Sequence, residues 1–228
     1  MTKLRVKICG VTQSTQARAI AQSGATTLGF ICVPNSPRYV QPDLILNIIN
    51  QLPAEIETIG IFADTTIENI CQVVEQTNLS GVQLHGSETV EYCERLSQQL
   101  GGREIIKALR IKMLADLKLA DVYSQVVQTL LLDAYDPQKL GGTGHTLDWQ
   151  SLRDFSPDCP WLLAGGLNPE NIVLAIQQII NDQPIGYHNF AGVDLSSGVE
   201  VSPGDKDLVK VADLFKNLSE LSQNISNF

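Results

Sequence analysis

Leu162-Leu163-Ala164-Gly165-Gly166-Leu167 and, further on, Gly192-Val193-Asp194-Leu195-Ser196-Ser197-Gly198-Val199-Glu200 are the most informative stretches of the chain. Each reads as a short apolar strand running into glycines or small hydroxyl residues. Glycine carries no Cβ, so its backbone can come close to a ligand. Two such turns near the end of one α/β chain predict a clamp of backbone N–H groups around a phosphate. In (β/α)8 barrels that clamp follows strands seven and eight. The expectation is therefore an α/β chain folded as a (β/α)8 TIM barrel, with a small phosphorylated, anionic substrate.

The rest of the chain fits that expectation. Its 228 residues suit a small barrel of one domain. Short apolar runs at Leu4–Cys9, Thr27–Cys32, Thr58–Phe62, Gly81–His85, Glu104–Leu109, Gln128–Asp133, Trp161–Ala164 and Gly192–Leu195 read as strands. Helical patterns fall near Thr12–Gln22, Pro42–Gln51, Thr66–Gln76, Thr89–Gln99, Met113–Val122, Trp149–Phe155, Pro169–Ile179 and Asp205–Leu218. Eight such units make a parallel sheet covered by helices, and eight strands can close. Thr65 with Glu68 reads as a capping box, Ser87 as an N-cap, and Asn168-Pro169 as a cap followed by a preset first turn. Gly81-Val82-Gln83-Leu84 and Gly192-Val193-Asp194-Leu195 echo each other half a barrel apart. The polar tail from Ser219 is expected to fray.

The net charge is −9, which argues against nucleic acid as a partner, since phosphate backbones need clustered Lys and Arg. Five cysteines without a C-x-x-C pair fit neither a zinc site nor a disulfide framework. Three histidines make a His-rich metal centre unexpected. The N-terminus does not read as a signal peptide, and no apolar run approaches a membrane span. The reading is a cytoplasmic protein with reduced thiols, no membrane partner and no metal, either monomeric or homodimeric.

In barrels of this kind the reacting groups lie where strands end. Alternation in Lys7-Ile8-Cys9-Gly10 sends Lys7 and Cys9 inward, with Val6 and Ile8 outward. A buried lysine needs a partner, and Asp194 on the neighbouring eighth strand is the candidate. A cation beside Cys9 would draw its thiol toward neutrality, as a cysteine base requires. The alternative is that Cys9 is a small buried hydrophobe, the reading for Cys71, Cys93, Cys159 and Cys32. Asp133 ends the apolar run Thr129–Leu132, as a general acid or as a loop cap. Arg38 in Ser36-Pro37-Arg38-Tyr39 can grip a carboxylate with two parallel bonds, or be a surface arginine. His85 ends the fourth strand in a structural or functional role. Gly141-Gly142-Thr143-Gly144 can form a lid, with Asp148-Trp149 behind it.

Taken together these segments resemble the phosphoribosylanthranilate isomerase family of tryptophan biosynthesis. The matching stretches are Lys7–Gly10, Ser36–Arg38, Gln83–Gly86, Leu132-Asp133, Gly141–Gly144 with Asp148-Trp149, Ala164–Leu167 and Gly192–Glu200, in the family's order and across nearly the whole chain. The resemblance implies an Amadori rearrangement of an aminoaldose to an aminoketose without metal or cofactor. It implies Asp133 as the acid that opens the ribose ring and Cys9 as the base that removes the C2 proton. It further implies Arg38 on the anthranilate carboxylate, His85 beside the substrate, and Gly165, Gly166, Ser196, Ser197 and Gly198 on the phosphate, with Asp194 inside the clamp motif. Leu147 stands where the family usually has Phe, and Asn181–Phe190 looks longer than usual. The rivals are another phosphosugar barrel enzyme, such as a synthase using Lys107, or a barrel that binds a phosphorylated ligand without turnover.

Overall fold

The architecture follows from alternation in the strands. A computed structural model describes residues 4–111, 113–134, 149–152, 155–180 and 189–226. The predicted Gly141–Gly144 lid, Leu147, Asp148 and most of the Asn181–Phe190 segment lie outside the described residues. Eight parallel strands close in sequence order: β1 Arg5–Cys9, β2 Thr27–Ile31, β3 Glu57–Phe62, β4 Gly81–Leu84, β5 Glu104–Ile111, β6 Thr129–Ala134, β7 Trp161–Ala164 and β8 Phe190–Leu195. All eight predicted strands are present. β1 pairs with β2 (Cys9 opposite Gly29) and with β8 (Lys7 opposite Asp194), which completes the ring.

The buried residues fall into two sets, as period-two alternation requires. Cys9, Ile59, Ile61, Ile106, Ala108, Leu131, Leu162 and Ala164 fill the barrel. Val6, Ile8, Leu28, Phe30, Leu130, Leu132, Leu163 and Val193 point outward into the helical layer. The N-terminal end of the barrel is closed by charge. Arg5 donates to both oxygens of Glu104 at 2.7 Å and lies 2.8 Å from Glu57, with Thr27 and Thr129 filling the remaining sites. This leaves the C-terminal mouth as the open end.

The helices are α1 Ser14–Ser23, α2 Pro42–Ile49, α3 Ile67–Thr77, α4 Val90–Gln99, α5 Leu119–Tyr123, α6 Ile172–Ile180 and α7 Leu208–Ser226. Several local expectations are corrected. Thr66, not Thr65, caps α3 by accepting from the Asn69 N–H, and Thr89 caps α4 while Ser87 donates to Asp64 instead. Asn168 does cap, through reciprocal side-chain bonds with the Asn171 backbone and back, but a turn separates it from α6. The predicted helix at Trp149 is a short 3-10 turn, Trp149–Leu152, and another, Leu114–Lys118, precedes α5. The last helix begins at Leu208, because Glu200–Ser202 (β9) and Asp205–Lys206 (β10) form an antiparallel hairpin first. Pro203-Gly204 is a turn dipeptide, and Gly204 takes φ +83° there. The tail does not fray at Ser219: α7 continues to Ser226 and buries Leu221. No helix among the described residues is long and apolar enough to cross a membrane.

Candidate active site

The strand ends open onto one cavity of about 270 Å³ at the C-terminal mouth. It is lined by Cys9, Arg38, His85, Asp133, Gly165, Gly166, Asp194, Ser196, Ser197 and Gly198, so every residue read from the sequence as the base, the acid or a substrate contact meets there. Ile31, Ser36, Ile61, Gln83, Ala164, Leu167 and Leu195 complete the lining. The loops after β7 and β8 form one side. Gly165 and Gly166 both take positive φ, +90° and +66°, a conformation that glycine adopts without steric cost.

Gly198 serves a second purpose. A Cβ there would stand 1.9 Å from the Leu167 carbonyl oxygen, so glycine lets the β8 loop touch the β7 loop. Gly198→Ala would force the β7 and β8 loops apart. The expected result is a rise of about tenfold in KM for a phosphorylated substrate, with a smaller change in kcat. Steady-state kinetics check this, and an unchanged KM would show that the loop contact does not shape the clamp.

Below the mouth, Lys7 donates to Asp194 at 2.9 Å, both side chains being nearly or fully buried. This is the pair expected from the sequence. Burial works against the Lys7 charge, but Asp194 and Cys9 override it and hold its pKa above the usual ammonium value. The expectation for Cys9 is corrected. Burial is the larger influence and pushes the thiol up, although Lys7 and Lys206 both pull it down. In the free protein burial thus favours the neutral thiol of Cys9 over the thiolate. The other cysteines behave as packing groups. Burial pushes Cys32 up to about 12 and both Cys93 and Cys159 up to about 11.

On the other side of the mouth, His85 Nε2 lies 3.3 Å from Asp133 Oδ2. Gln83, two residues back on β4, places its Nε2 at 2.9 Å from His85 Nδ1. With the amide donating, Nδ1 is the acceptor and the imidazole proton sits on Nε2, facing Asp133. Gln83 Oε1 is buried without a partner among the described residues.

Arg38 is not a free surface side chain. Its Nε and Nη2 grip Glu200, at 2.9 and 2.6 Å. Lys206 Nζ donates to the same carboxylate at 2.8 Å, to the Cys9 carbonyl at 2.5 Å and to the Ser196 carbonyl at 3.2 Å. Burial opposes the Glu200 charge, but its bonds to Arg38 and Lys206 win and hold the carboxyl down at about 2. Sequence reasoning missed Glu200 and Lys206 as site residues. The Pro203-Gly204 turn was the available signal, since it folds Lys206 back opposite Glu200.

Lys107, the residue a synthase would need, faces the helical layer. Its Nζ bonds Glu88 at 2.7 Å and the Gly86 carbonyl at 2.8 Å, and it does not line the cavity. Lys107→Met would leave Glu88 buried without its cation, at a cost of roughly 3–5 kcal/mol of stability. Turnover of the folded fraction is expected to stay within about threefold of wild type. Denaturant unfolding and steady-state rates test both halves, and a loss of turnover near that of an acid–base residue would bring Lys107 back into the chemistry.

A closed barrel whose mouth joins an acid, a thiol, a paired arginine and two glycine-rich loops defines the class: a (β/α)8 barrel with its site at the C-terminal face. A family model for N-(5′-phosphoribosyl)anthranilate isomerase matches residues 6–217. The protein of that name from Trichodesmium erythraeum is 52% identical over 227 residues, covering 96% of this chain and 99% of its own. That from Nostoc punctiforme is 56% identical over 215 residues, covering 94% and 98%. The crystal structure of the phosphoribosyl anthranilate isomerase of Thermotoga maritima is 34% identical, with a TM-score of 0.83, covering 96% of this chain and all of that one. A solved isomerase in complex with reduced 1-(o-carboxyphenylamino)-1-deoxyribulose 5-phosphate has a TM-score of 0.80 at 32% identity. The chain belongs to the N-(5′-phosphoribosyl)anthranilate isomerase family and is an isomerase of tryptophan biosynthesis.

Proposed function

We propose that this chain catalyses the Amadori rearrangement of N-(5′-phosphoribosyl)anthranilate, with Asp133 as general acid and Cys9 as general base. The observation that carries the reading is that an acid on β6 and a thiol on β1 face one cavity from different sides. Asp133 gives its proton to the furanose ring oxygen, the C1–O bond breaks, and the anilinic nitrogen lone pair forms a Schiff base. Cys9, as thiolate, takes the C2 proton, and the electron pair moves to the iminium to give an enolamine. Tautomerisation then yields the ketone. Each acid or base of this kind contributes about 10²–10⁴ in rate.

The other lining residues bind. The N–H groups of the Gly165-Gly166 turn and the Ser196-Ser197-Gly198 turn hold the phosphate. Arg38 has two donors on Glu200 and three left, enough to take the anthranilate carboxylate end-on. His85 steadies Asp133. Asp194 stays on Lys7, which keeps its charge from repelling the phosphate. The bound product analogue of the solved relative carries both anionic groups this cavity is read to hold. We read the whole chain as one domain.

The test follows the fluorescence of freshly made phosphoribosylanthranilate after addition of this protein. Signal loss well above spontaneous hydrolysis, with the aminoketose as product, is the expected result. No acceleration by a folded sample would overturn the reading and favour a barrel that binds a phosphorylated ligand without turnover.

A further inference from the structure

Glu200 is a buried carboxylate whose acceptor sites are all used, and its partners come from two segments, the loop after β2 and its own β9–β10 hairpin. It accepts from Arg38 in the loop after β2, from Lys206 on β10, and from the Gly204 N–H in the hairpin turn at 3.2 Å. Lys206 carries the link further, since its other two donors end on the carbonyls of Cys9 and Ser196. The Arg38 loop, the strand end bearing the thiol and the loop after β8 are therefore joined through the Glu200–Lys206 pair.

We propose that Glu200 is a positioning residue for specificity: it aims the free edge of Arg38 at a carboxylate on the ligand's aromatic ring and ties that aim to the thiol and the clamp. This rests on the reading of Arg38 given above. Three physical points support it. A guanidinium has two faces suited to bidentate pairing, and Glu200 occupies the Nε/Nη2 face, leaving the Nη1/Nη2 face for a second anion. One carboxylate set between two cations leaves the group net positive, so a further carboxylate is attracted rather than repelled. An arginine already held in place also gives up less side-chain freedom when ligand arrives.

The experiment measures binding of two probes by calorimetry: the reduced product analogue, and the same compound with a plain phenyl ring in place of the carboxyphenyl ring. Wild type is expected to prefer the carboxylate probe. In Glu200→Gln the preference is expected to fall about tenfold, while the phenyl probe keeps its affinity within about threefold. Equal weakening of both probes, or an unchanged preference, overturns the proposal. Glu200→Gln/Lys206→Met removes both charges of the buried pair and is measured in the same way, so a single variant that fails to fold does not decide the matter. Arg38→Met separates the two levels. If it keeps the wild-type preference, the reading of Arg38 fails. If it loses the preference and the Glu200 variants do not, only the role of Glu200 fails.

Discussion

Cys9→Ala is expected to lower kcat by about 10²–10⁴ while the reduced product analogue still binds within a few-fold of its wild-type affinity. The side chain sits at the end of β1 against Gly29, where a Cβ at residue 29 would be 3.0 Å from its sulfur, so shortening it opens little space. The phosphate loops and Arg38 are untouched. Cys9→Ser is not expected to rescue, because a hydroxyl is a far weaker acid and yields no useful base near neutral pH. The raised thiol pKa adds a sign. Burial favours the neutral thiol of Cys9 in the free enzyme, so the fraction of active base grows as pH rises. The kcat/KM of wild type should therefore climb from neutral into the alkaline range. A profile already flat at neutral pH would mean that the neighbouring Lys7 and Lys206 outweigh burial. Stopped assays with quantified product check the rate, and calorimetry checks the binding.

Asp133→Asn is expected to cause a loss of similar size, about 10²–10⁴ in kcat, again with analogue binding kept. The amide is nearly the same shape and can still accept from His85, but it has no proton to give to the ring oxygen. A substrate already opened to its Schiff base would bypass the need for that acid. The variant should thus process such an open-chain substrate far better than the closed one. Equal impairment on both would place Asp133 outside ring opening.

The strands were legible because alternation and turn chemistry agree in each of them. Val6 and Ile8 against Lys7 and Cys9 is the plainest case, and it also pointed to the Lys7–Asp194 pair. The two turns that line the mouth were legible because glycine and serine follow two apolar runs at the right places in a barrel. What stayed hidden depends on contacts between residues far apart in sequence. Arg5 and Glu104 meet across the barrel floor only because β1 and β5 lie opposite each other. Arg38 meets Glu200 only because the chain after β8 turns into the β9–β10 hairpin beside the loop after β2. The caps slipped by one or two residues because several adjacent threonines and serines could each serve, and packing chose among them. The Cys9 thiol was misread because the sequence displays the nearby cation but not the depth of burial.

In the proposed mechanism Cys9 and Asp133 move the protons of the reaction. The most direct measurement is turnover and analogue binding in the Cys9→Ala/Asp133→Asn double variant. Wild-type-like binding and a rate indistinguishable from the spontaneous one are expected. A double variant that binds and still turns over within about tenfold of wild type would contradict it and move the chemistry to other residues of the cavity.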